Sequence, residues 1–141
     1  WTLHAGYAWL TASFLLLALG DLGVAGAQRA WLHAFTVGAL GSAMIGLTTR
    51  VALRHTGRPL VLPRAAVAAH VLVQVAAFAR VGGALTGGGD GWVVTAGAAW
   101  VAAFALYLAL FGPILVRPSL PRVVVGPLDA DSRPGPRRGR S

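Results

Sequence analysis

Residues 30–49 hold a single ionisable side chain, His33, and are otherwise apolar or small. About 20 residues at ~1.5 Å each make roughly 30 Å of helix, enough to cross the hydrocarbon core of a bilayer. Arg50, Arg54, His55 and Arg58 follow at once, closed by Pro59. A helix this long, apolar on every side and abruptly basic at one end does not suit a water-soluble core. The stretch 31–59, WLHAFTVGALGSAMIGLTTRVALRHTGRP, therefore reads as a membrane span around which the rest is organised.

Small residues recur every four positions along it, at Ala34, Gly38, Ser42 and Gly46, and lay down a groove where a second helix can approach closely. The row ends at Arg50. A charge there must face protein, a cofactor or the membrane interface, because hydrocarbon would leave it unpaired.

Three further apolar runs complete a predicted all-α bundle of four transmembrane helices over residues 1–116, with spans at about 3–19, 30–53, 65–85 and 92–116. Residues 21–29 form a short connection. Residues 54–64, with three arginines, two prolines and a glycine, form a basic turn, and the glycine-rich 86–91 a flexible reversal. From residue 117 the composition changes to Pro, Gly and Arg, which cannot bury enough apolar surface to fold, so 117–141 reads as a disordered basic tail. The overall balance agrees: 56% of the 141 residues are hydrophobic and 11% charged, too apolar for an ordinary soluble domain. The start at Trp1, without initiator Met or basic leader, reads as a piece of a longer protein.

The formal charge of +8 raises nucleic acid as a partner, but the arginines cluster in loops and tail, where membrane topology explains them better. Four spans put both ends on one side, together with ten of the twelve arginines, leaving Arg29 and Arg80 near the other face. The positive-inside bias makes the His55 turn and the tail cytoplasmic. With no cysteine, disulfides, thiolate metal sites and cysteine nucleophiles are excluded. No carboxylate pair or activated nucleophile lies in the spans, which argues against hydrolase or transferase chemistry. Gly87, Gly88, Gly89 and Gly91 do not form a phosphate loop, since no GK[ST] follows and no strand precedes.

Helix rise places the histidines in two layers. His33 and Arg80 fall near one face. His4, His55 and, somewhat deeper, His70 fall near the other, with Arg50 and Arg58 close by. Each histidine has a plain alternative: His70, one turn before Gln74, can link helices by a hydrogen bond, and His4, His33 and His55 can be interfacial. Four imidazoles in a chain with only four carboxylates nevertheless turn the set towards haem or metal ligation, with Arg50, Arg58 and Arg80 suited to haem propionates. The row Trp100, Phe104, Tyr107 and Phe111 reads first as packing surface.

The segment LHAFTVGALGSAMIGLTTRVALRHTGRPL, residues 32–60, resembles the signature of the NnrS family, whose members carry a similar LHA…GA.G…..G..TRV…HTGRPL run. Arg80 closing the third span and the ending AAWVAAFALYLALFGPILVRPSL, residues 98–120, are similar to that family's C-terminal pattern. The resemblance implies a bacterial inner-membrane protein that binds haem and copper and serves the response to nitric oxide and nitrosative stress. It makes this chain the C-terminal four spans of a longer parent, with membrane lipid, those remaining spans and nitric oxide or a related small molecule as partners. It maps the family's histidines and arginines onto His4, His33, Arg50, His55, Arg58 and Arg80, with His70 a looser match. Arg54 stands where members often carry glycine. Two other functions compete: a small transport or scaffold bundle whose histidines are structural, and a b-type electron-transfer bundle, which needs histidines paired at matched depth on facing helices.

Overall fold

The computed structural model describes residues 1–118, and the expected tail lies, from residue 119 onward, outside the described residues. Four helices make up the fold: α1 (Thr2–Asp21), α2 (Ala27–His55), α3 (Arg64–Thr86) and α4 (Asp90–Leu115). Each is long and apolar enough to cross a membrane, and no strand occurs among the described residues. The all-α, four-span architecture expected from hydropathy is thus the observed one. One connection is shorter than its composition suggests. Gln28 and Arg29 already belong to α2, whose first turn begins when Gly26, at φ 79, reverses the chain.

α2 is the axis of the bundle, because two of its faces are lined with small or compact residues. Ala34, Gly38, Ser42 and Gly46 are all buried, and α1 packs along them. The Trp9 ring fills the groove so closely that a Cβ added to Gly38 would lie 2.5 Å from it. Gly41, Ile45, Thr49 and Leu53 form the second buried row, turned towards α3 and α4. A Cβ on Gly41 would meet the Trp100 ring at 2.6 Å. Residues Ala34–Leu40, which include Gly38 and end just before Gly41, wind as a π-helix, and the Thr36 hydroxyl donates to the Leu32 carbonyl at 2.7 Å near its start.

α3 and α4 pack along their whole length through alanines on one side and rings on the other. Trp100 and Phe104 lie 4.7 Å apart between ring centroids against Ile45, Ala69, Val73 and Ala103, and Tyr107 and Phe111 lie 4.8 Å apart, with Phe111 against Ala52, Leu53 and Ala66. The aromatic row is packing surface. A polar staple ties three helices together: Trp9 Nε1 donates to Gln74 Oε1 and Gln74 Nε2 donates to Ser42 Oγ, each at 2.8 Å. In hydrocarbon such bonds are worth roughly 0.6–1.7 kcal/mol each, and unlike apolar contacts they fix register.

Thr56, Gly57 and Arg58 of the HTGR sequence close α2 by hydrogen bonds. Thr56 donates its hydroxyl to Ala52 O at 2.7 Å, Gly57 N donates to Arg54 O, and Arg58 N donates to Leu53 O at 3.0 Å. That pattern requires a left-handed residue at Gly57, which has φ 70. Arg54 lies in the helix, one turn before this reversal, so its bulk leaves the turn undisturbed. The outward faces stay apolar and exposed, as at Phe14, Phe78, Val94, Val101 and Leu108.

Candidate functional site

The last turns of α2, the early turns of α3 and the start of α1 enclose a cavity of about 500 Å³. This volume falls in the range of small-molecule and cofactor sites, about 300–1,000 Å³. Arg50, Arg54 and His55 reach it from α2 and His70 from α3, with Trp1 and Leu53 among its walls. Arg50 and Arg54 are one turn apart on the same face, so their charges converge.

His70 is the buried imidazole of the site, with 2% of its surface exposed. Its Nδ1 lies 2.7 Å from the Ala66 carbonyl one turn back. A carbonyl oxygen can only accept, so Nδ1 carries a hydrogen, and in the neutral ring the lone pair is then on Nε2. The Trp1 ring stands edge-on to the imidazole, with centroids 5.8 Å apart. A tautomer fixed by a backbone carbonyl is how metal-ligating histidines are commonly oriented. The helix-linking role weighed for His70 falls instead to Gln74, one turn further along.

Past the end of α2, Arg58 is half-buried and its Nη1 is buried with no hydrogen-bond partner among the described residues. His4, expected in the same layer, is exposed on α1 and does not line the cavity. The structure therefore brings together Arg50, His55 and His70, leaves His4 and Arg58 out of the cavity lining, and adds Arg54. In sequence the signal for Arg54 was its four-residue spacing from Arg50.

At the opposite end of the bundle Arg29, His33 and Arg80 surround a second, smaller space of about 240 Å³, with Gly83, Gly88 and Trp92. The His33 and Arg80 layer expected from helix rise is thus assembled, with Arg29 as a third member. Among the described residues no three or more His, Cys, Asp or Glu side chains are grouped to hold a metal ion. The arginine-end cavity offers imidazoles and guanidinium groups, a donor set that suits a planar anionic macrocycle with one or two axial positions better than a bare ion wanting three or four ligands.

A family model described as NnrS protein matches residues 1–119. No curated protein and no solved structure matches the chain.

Proposed function

The chain belongs to the NnrS family, and we propose that it is the part of an integral membrane haem protein that holds the haem, in the cavity between α2 and α3, and that the protein serves the response to nitric oxide. One observation carries this reading: a buried His70 with its Nδ1 committed to Ala66 O faces the same 500 Å³ space as two arginines. His70 Nε2 would be the ligand, and Arg50 and Arg54 would hold the propionates. Haem iron, when bound, supplies a position at which a diatomic molecule such as nitric oxide can coordinate. Leu53 and Leu62 add apolar wall to the site. Copper, implied by the same likeness, would have to be held by fewer than three His, Cys, Asp or Glu donors of the described residues.

The intact protein purified from its host tests the proposal. A Soret band is expected, moving when nitric oxide is added to the reduced protein. Colourless material, or a band that nitric oxide leaves in place, would overturn it.

The scaffold reading has its own support in the Trp9–Gln74–Ser42 staple, where polar side chains serve helix packing alone. It leaves unexplained an imidazole and two guanidinium groups turned into one cavity. For topology we propose a bacterial inner membrane with the arginine-rich end cytoplasmic, by the positive-inside rule. A reporter fused after Ser141 is then active in the cytoplasm, and activity confined to the periplasm contradicts it.

A further inference from the structure

Arg80 lines two adjoining spaces. One is the polar end of the bundle, where it meets Arg29 and His33. The other is a groove of about 330 Å³ between α2 and α4, floored by Val37, Val93, Ala96, Gly97, Trp100 and Val101. No carboxylate lines either space, and neither Arg29 nor Arg80 has an ion-pair partner among the described residues. An arginine within a span without a counter-charge is costly and calls for an anion. The anion that fits here is amphiphilic: guanidinium groups gather at the helix ends, and the apolar groove runs from them along the bundle's side. A small inorganic anion would account for the first space and leave the second without a role.

We propose that this groove binds a phospholipid of the surrounding membrane, its phosphate held by Arg29, His33 and Arg80 and an acyl chain laid along Val37, Gly97 and Trp100. Arginine matches phosphate with paired, charge-assisted hydrogen bonds, which a headgroup phosphate would satisfy at either face of the membrane. Gly97 gives the chain room, since a Cβ built there meets nothing within 4 Å. For the same reason a larger side chain at Gly97 can fill the groove without disturbing the helix packing.

The test is native mass spectrometry of the delipidated, intact protein titrated separately with phosphatidylglycerol, diacylglycerol and inorganic phosphate. Phosphatidylglycerol is expected to bind, and the uncharged diacylglycerol and inorganic phosphate each at least about tenfold more weakly. Gly97→Leu should weaken phosphatidylglycerol by blocking the chain, and Arg29→Gln by removing a headgroup donor, each by about tenfold or more. Arg29 is exposed and Gly97 has open space, so both variants keep the fold. Equal phosphatidylglycerol binding by parent, Gly97→Leu and Arg29→Gln would overturn the proposal. So would inorganic phosphate binding as tightly as the lipid, which would make this a plain anion site.

Discussion

Alanine in place of His70 is expected to strip haem from the intact protein, lowering its retention through purification by more than about 100-fold, because even partners one shell further out cost 10–100-fold when removed. The ring is buried, and its Nδ1 is held by the Ala66 carbonyl, which leaves Nε2 as the atom that would reach the iron. The measurement is haem content per chain after affinity purification, read as the pyridine complex. A His70→Ala protein that folds and keeps the parent's haem content would remove His70 from the site. The scaffold reading expects a different pattern, with lower yield and an unchanged ratio of haem to protein.

Gly38→Leu is expected to produce the largest loss of stability. Even the first added carbon would sit 2.5 Å from the Trp9 ring. That ring cannot swing aside freely, since its Nε1 is bonded to Gln74 and it packs tilted against Phe78, with ring centroids 4.8 Å apart. Overpacking of this kind costs about 1–3 kcal/mol, and displacement of Trp9 breaks the staple as well. Thermal unfolding in detergent should show a clear drop in midpoint, partly restored by adding Trp9→Ala, which empties the groove. A Gly38→Leu protein melting with its parent would mean that α1 does not pack in this groove.

The parts of this fold that hydropathy and spacing can reach were legible in the chain. The four apolar runs became four helices, and the Ala34–Gly46 row became the face that receives α1. Helix rise paired His33 with Arg80 and His55 with His70 because it fixes height. It does not fix direction around the axis, which explains His4. The side of α1 that packs inward carries Gly6, Trp9 and Ser13, and at ~100° per residue His4 points about 160° away from Gly6. The π-helical segment left no trace because Ala34, Gly38 and Ser42 suit an ordinary α-helix equally well. The Trp9–Gln74–Ser42 staple was hidden because it joins three helices, and which polar side chains meet across a bundle depends on rotations that no single helix encodes. Arg54, read as a departure from the family pattern, acquires a meaning only when α3 brings His70 opposite it.

Beneath the whole account lies the claim that His70 grips a haem through Nε2. The most direct measurement is the visible spectrum of a His70→Gly protein in haem-supplemented membranes, with and without free imidazole. The vacated space should admit imidazole, and the account predicts that the Soret band, lost in the variant, returns when imidazole is added. A band that is present without imidazole, or that imidazole fails to restore in folded protein, would contradict it.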